Sequence, residues 1–350
     1  MRVAGRENAG LRRAARGAAF AMFCLFACGG LVRGQGAVPQ TTPAEPKFRE
    51  VTDEIGRTIR VPREIRRVVS LAPSVTETVY ALGLQDRLVG DTDFCDYPPD
   101  AQKKQKVGGA INPSIEVIAA LHPDLVLAIK SLNRLETVEA LQALHIPSYT
   151  TNPKTVEEVL ASMEHIAEVL GEPEAGVEIA ERLRARLAKL RAQLEKAPPR
   201  RVFFVVWDEP LMSIGKKTFI ADALRYAGAV SVVDSSQDWP QVNLEEVVRQ
   251  QPEFLVFAAS HSTNSSVDVN ALAKRPGWRG LEAVREKHFA IISDAVNRPA
   301  PRIVDAIENL ARQLHPEAFG ESGSPQALAT EPNAAEPNAA EQAEEMQCAL

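Results

Sequence analysis

The chain predicts an α/β fold: two Rossmann-like, parallel-sheet lobes joined by one long helix. Three observations predict it. From Arg67 onward, short β-branched runs alternate with helical segments, the pattern of strand–helix–strand units with parallel pairing. A phrase recurs in which a polar residue, an aliphatic and a glutamate open an apolar helix that ends in Pro, an acid and a buried strand. Its copies run from Ser114-Ile115-Glu116 to Pro123-Asp124-Leu125-Val126, and from Asn243-Leu244-Glu245 to Pro252-Glu253-Phe254-Leu255. Between them, residues 173–196 carry Ile179, Leu183, Leu187, Leu190 and Leu194 at spacings of three and four, one apolar stripe on a helix.

The chain opens with Arg2, Arg6, Arg12, Arg13 and Arg16, then an apolar run from Ala18 to Ala27. That run is well short of the ~20 residues a membrane span needs, so residues 1–28 read as a secretory signal peptide. Leu25 to Cys28 resembles a bacterial lipoprotein box, with Cys28 as the lipid-bearing residue; ordinary cleavage near Gly34-Gln35-Gly36-Ala37 is the alternative. Residues 29–50 read as a linker.

The N-terminal lobe is expected over 51–171. Val68–Leu71 reads as a strand, Ser74-Val75-Thr76-Glu77 as a capping box opening a helix through Leu82, and Leu88–Gly90 as the next strand. Leu125–Ile129, Ser148–Thr150 and a helix from Thr155, with Glu158 three residues on, complete it. The interlobe helix takes 172–198 and stops at Pro198-Pro199. The C-terminal lobe, 199–316, has strands at Val202–Val206, Ser231–Val233, Phe254–Ala258 and Phe289–Ile292. Its helices are Thr218–Ala227, one from Asn243, and Pro301–Leu314. Residues 317–350 hold seven acids, no Lys or Arg and a tandem Glu-Pro-Asn-Ala-Ala. Such a segment buries too little apolar surface to order itself and reads as a disordered acidic tail.

A net charge of −6 with no basic patch argues against nucleic acid. Enzyme signals fail as well. The chain has no Gly-x-Ser-x-Gly elbow and no Gly-x-Gly-x-x-Gly, and Gly215-Lys216 lacks the rest of a phosphate loop. No two of the six histidines stand at metal-ligand spacing, so neither metal nor cofactor is expected. Cys24, Cys28, Cys95 and Cys348 form no disulfide framework, and Cys95 reads as a free, partly buried thiol.

Ligands of open parallel sheets sit beyond the carboxyl ends of the strands. The loops there carry Phe94, Tyr97, Trp207 and Trp239, with Asp294 and Arg298 as polar groups. Aromatic walls with a few fixed polar groups suit a large, flat, partly apolar small molecule. A competing reading is an enzyme using His261 with Asp294 or Asp208, for which no nucleophile and base pair is recognisable.

Several stretches, in order, point to a family. They are Arg67 to Glu77, Asp96-Tyr97-Pro98-Pro99, Val107-Gly108-Gly109, Ile115-Glu116 through Val126, Trp239-Pro240-Gln241-Val242 with Glu245, and Ser293-Asp294 followed by Arg298-Pro299-Ala300-Pro301-Arg302. From about Val51 to Leu314 the chain resembles periplasmic substrate-binding proteins of ABC importers for cobalamin and iron chelates, the cobalamin-binding members most closely. The resemblance implies the helical-backbone periplasmic binding protein fold, a monomer, and a ligand between the lobes handed to an inner-membrane ABC permease. It also implies that Glu116 and Glu245 dock onto permease arginines, although an acid in a helix's first turn is favoured by the macrodipole alone. Cobalamin binders of the family place aromatics where this chain has Ala110, Ala295 and Val296. That departure keeps haem, ferric siderophores and other corrinoids as rival ligands.

Overall fold

In the computed structural model the structure describes residues 47–258 and 274–320. The first lobe contains a parallel sheet in the order β4-β3-β5-β6, made of β3 (Val68–Ser70), β4 (Leu88–Gly90), β5 (Leu125–Ile129) and β6 (Ser148–Thr151). The second contains β7 (Arg200–Val205), β10 (Ala229–Ser231), β11 (Phe254–Ala258) and β12 (Phe289–Ile292) in the order β10-β7-β11-β12, also parallel. Both lobes therefore share one strand order, as the repeated phrase predicts. Two hairpins were not legible in advance. One pairs β1 (Phe48–Thr52) with β2 (Thr58–Pro62), and the other pairs β8 (Trp207–Asp208) with β9 (Leu211–Met212).

Period-two alternation sends each sheet's two faces to different cores. On β5, Leu125, Leu127 and Ile129 join a central core, while Val126 and Ala128 pack outward with Ile118 and Leu141. On β7, Val202 and Phe204 join the same central core, and Phe203 and Val205 pack outward with Val247 and Trp278. The helices divide accordingly. α1 (Pro73–Ala81), α4 (Val156–Leu170), α5 (Pro173–Gln193), α6 (Phe219–Tyr226) and α9 (Ile303–Leu314) contribute to the shared layer. α2 (Ile115–Ala120), α3 (Leu135–Ala143), α7 (Leu244–Gln250) and α8 (Glu282–Arg285) cover the outer faces.

The long helix is α5, and its stripe residues Ile179, Leu183, Leu187 and Leu190 are buried within the chain. It lies antiparallel to α4, which ends at Gly171 with φ +83, the left-handed position that glycine takes without steric cost. A Cβ at Gly176 would stand 2.6 Å from the Ala167 Cβ, so glycine lets the two helices touch. Arg184 pairs with Glu157 and Glu164 of α4, and Arg186 with Asp305 and Glu308 of α9. One helix thus joins both lobes. α4 adds a second link, because Asp222 of α6 accepts the Val156 N–H at 2.7 Å.

The repeated phrase has a physical basis. Ser114 and Asn243 cap α2 and α7 by accepting N–H groups of the first turn. His122 (φ +45) and Gln251 (φ +43) turn each chain left-handed before the proline. The following acid accepts strand amides of the neighbouring strand's start: Asp124 takes Arg66 and Arg67 N–H at 2.8 Å each, and Glu253 takes Arg201 N–H at 2.9 Å. Arg67 and Arg201 in turn donate to the carbonyls of Leu121 and Gln250 at 2.6 Å, closing the helix ends.

Some boundaries move. β10 is Ala229–Ser231, two residues earlier along the chain than the expected Ser231–Val233, with Ala229, Val230 and Ser231 paired to Arg200, Arg201 and Val202. β1 starts inside the stretch read as a linker. At the other end the fold runs on through the turn Pro316–Phe319, where Arg312 stacks on Phe319 at 4.7 Å. Among the described residues no helix is long and apolar enough to cross a membrane. The signal segment, Cys28, residues 259–273 with His261, and the residues beyond 320 lie outside the described residues.

Candidate functional site

The loops that leave the carboxyl ends of β4, β7, β10 and β12 carry the residues singled out above. The longest, 91–114, is built around an internal lysine. Lys106 Nζ donates to Asp91 Oδ1 at 2.8 Å and to the carbonyls of Thr92, Cys95 and Ala101 at 3.2–3.3 Å. Asp91 is wholly buried and its Oδ2 has no hydrogen-bond partner among the described residues. Burial pushes its pKa up to about 6 against the pull of Lys106. Asn133, also buried, accepts the Ile129 N–H and donates to the carbonyls of Leu71 and Ala110, tying the exits of β3 and β5 to the 91–114 loop. Cys95 is a buried thiol beside Thr76 and Thr92, and burial pushes its pKa up to about 11, so it stays protonated.

A charged cluster joins the lobes beside this loop. Glu77 of α1, 3% exposed, receives Arg302 through two parallel bonds at 2.7 and 2.8 Å and Arg298 at 3.1 Å. Arg298 also forks onto Asp96 at 2.5 and 3.1 Å and pairs with Asp294 at 2.9 Å. Burial works against the charge on both arginines. The hydrogen bond to Asp96 and the nearby carboxylates outweigh it for Arg298, as Glu77 does for Arg302, and hold both pKa values above the ordinary range. The Arg302 guanidinium lies 3.7 Å over the Tyr97 ring. Tyr97 of lobe one is therefore stacked by a side chain of lobe two.

Of the residues singled out from sequence, the structure brings Tyr97, Asp294 and Arg298 into this one neighbourhood. Phe94 is half-buried in the 91–114 loop. Trp207 lies in the β8–β9 hairpin of lobe two, and Trp239 lies beside it. Trp207 opposes Met212 in the ladder and donates to the Glu209 carbonyl at 2.8 Å, while Ser213 N–H bonds Pro240 O and Trp239 packs on the central core. Glu116 and Glu245 are exposed, each in the first turn of an outer helix at the strand-carboxyl end of its sheet. Ser114 donates to Glu116 at 3.1 Å.

Arg298, expected with Asp294 to orient a ligand, faces three carboxylates in this structure: Glu77 and Asp96 of lobe one and Asp294 of its own lobe. The Ser74–Glu77 capping box does not form. Pro73 begins the helix, Ala72 stands at its cap with no side-chain bond, and Glu77, freed from the helix start, reaches lobe two. Ala110, Ala295 and Val296, at 1%, 2% and 1% exposure, are buried side chains in this chain. Glu77, Asp96 and Arg302 went unrecognised as site residues. A carboxylate with helix-start spacing has a sufficient local explanation, and only the tertiary contact reveals the other.

Two surface cavities lie elsewhere. One of about 330 Å³ sits at the amino ends of the lobe-two strands, lined by Arg200, Glu253, Phe254 and His288, and one of about 280 Å³ lies between the N-terminal hairpin and α4. Neither contains a cleft-loop residue.

The model of the periplasmic binding protein family matches residues 68–296. The vitamin B12-binding protein of Vibrio cholerae serotype O1 is 32% identical over 259 residues, covering 72% of this chain and 90% of the relative. Among solved structures, the periplasmic vitamin B12 binding protein BtuF of Vibrio cholerae aligns at 30% identity with a TM-score of 0.63, covering 73% of this chain and 99% of its own. The periplasmic heme-binding protein RhuT from Roseiflexus sp. RS-1 is similar in fold, with a TM-score of 0.65 at 24% identity, covering 73% of this chain and 99% of its own.

Proposed function

The chain belongs to the periplasmic binding protein family, and on that premise we propose that it is the solute-binding protein of an ABC importer, capturing cobalamin or a related corrinoid between its lobes. What carries the ligand class is the likeness to vitamin B12-binding proteins over nearly their whole length. The ligand's apolar faces bury against Phe94, Tyr97, Trp207 and Trp239. Asp294 and Arg298 serve it indirectly, by setting how the lobes meet. The protein acts by binding and release, not by catalysis.

Glu116 and Glu245 dock on arginines of the inner-membrane permease. Their equivalent placement on α2 and α7 supports this, since the two helices occupy the same position in the two lobes. The mature protein is a periplasmic monomer, held to the membrane by a lipid if Cys28 is processed as a lipoprotein cysteine.

Haem or a ferric siderophore is the second reading. The small, buried Ala110, Ala295 and Val296 favour it, because they offer no stacking surface where cobalamin binders carry aromatics. Titrating the mature protein with cyanocobalamin, haem and ferric siderophores, followed by tryptophan quenching, decides between them. Saturable quenching by cyanocobalamin alone is expected, and no response to any of the three would reject the ligand class.

A further inference from the structure

Glu77 sits in the second turn of α1, buried, with its carboxylate at the boundary of the lobes. Both oxygens are occupied by lobe-two arginines, and each arginine ends on the same two-residue stretch of the cleft loop. Arg298 runs from Glu77 to Asp96, and Arg302 from Glu77 to the face of Tyr97. A contact that merely tied the lobes together needs only one bidentate pair. Here the two arginines fix consecutive residues, one through its carboxylate and the next through its ring. Tyr97 as a residue is still 40% exposed with a guanidinium over one face of its ring.

We propose that Glu77 is a positioning residue for ligand binding: by fixing the plane of Arg302 and the reach of Arg298, it sets the angle at which Tyr97 presents its ring to the cleft. A guanidinium held by two parallel bonds cannot rotate about its last torsions, so the plane stacked on Tyr97 is set by the carboxylate behind it. Glutamine in place of Glu77 has one acceptor oxygen and no charge. It cannot hold Arg302 by both bonds and leaves the stack free to tilt.

This inference rests on the reading of the cleft as the ligand site, and the test separates the two. In the ligand-free protein, the Arg302 Nε–H resonance, assigned by its loss in Arg302→Lys, is expected to be displaced by the Tyr97 ring current. It should relax towards the ordinary arginine position in Glu77→Gln and also in Tyr97→Leu. Cyanocobalamin affinity should fall about ten-fold in Glu77→Gln and recover most of that loss in Glu77→Asp, which keeps the charge. An unmoved Arg302 resonance in Glu77→Gln, or unchanged affinity despite a moved resonance, overturns the proposal. Failure of the wild type to bind cyanocobalamin rejects the ligand reading instead, and the resonance arm still tests the coupling of Glu77 to Tyr97. Should Glu77→Gln not fold, Arg302→Lys serves the affinity arm, since lysine keeps the charge but not the flat, doubly bonded stack; unchanged affinity there overturns the proposal equally.

Discussion

Lys106 reaches Asp91 at 2.8 Å inside the first lobe, and the same ammonium holds three backbone carbonyls of the loop that carries Phe94, Asp96 and Tyr97. The ion pair is internal to the loop, with the carboxylate fully buried and the lysine partly exposed. It makes the cleft loop a packed unit.

The buried Asp91 gives the fold a pH dependence of known sign. Its pKa is raised from 3.8 to about 6, chiefly by burial. Between those values the folded chain holds a proton that the unfolded chain has released, so this group's stabilisation is complete below about pH 4 and is lost as pH rises through about 6. Asp91→Asn removes that dependence. The melting temperature of the wild type minus that of the variant should therefore increase as pH is lowered from about 7 to about 4. An unchanged difference would mean that Asp91 does not take up the proton.

Removing Arg298 leaves Glu77, Asp96 and Asp294 facing one another across the lobe boundary with one fewer cation. Arg298 is 16% exposed and Glu77 only 2% at the side chain. Breaking a buried pair from one side costs roughly 3–5 kcal/mol. Urea denaturation of Arg298→Ala should show a loss near the lower end, because Arg302 continues to neutralise Glu77. A loss well under 1 kcal/mol would place the cluster among exposed pairs, which contribute about that little.

Gly176 allows α4 and α5 to meet, and a side chain there has no room. The nearest atoms include the Glu164 Cα at 3.0 Å as well as the Ala167 Cβ, so the backbone itself must shift. Gly176→Val should destabilise by about 1–3 kcal/mol by overpacking alone, measured as a lower urea midpoint. Gly176→Ala should also destabilise, and adding Ala167→Gly should recover part of that loss, which a pure propensity effect would not allow.

Glu116 and Glu245 are exposed and lie outside the charged cluster. Reversing both to Lys should abolish uptake of the solute in cells while leaving solution affinity for cyanocobalamin within about two-fold. Impaired ligand binding by the purified double variant would count against a docking role.

Much of the architecture is determined by residue pattern. Val126 and Leu127 alternate between two cores because strand side chains alternate, and the strand needs no knowledge of its partner to do so. Thr155 and Asn243 accept first-turn N–H groups within their own helices, which is local chemistry written in a few residues. The repeated Pro-acid step was legible too, although its use, an acid accepting the amide that starts the neighbouring strand, emerges only when the strands are side by side.

The site belongs to the other category. Glu77 has the spacing of a cap and the contacts of a lobe clasp, because its partners Arg298 and Arg302 lie more than two hundred residues away and meet it only after both lobes fold. Ala295 and Val296 follow the same logic, since their burial depends on a short turn packing onto α9 and nothing in their own sequence marks inside from outside. Sequence by itself determined the two-lobed α/β plan, through periodicity and capping that act over a few residues. Tertiary structure alone decided which charges face each other across the lobes, because long-range electrostatic pairing depends on distances that only the folded chain defines.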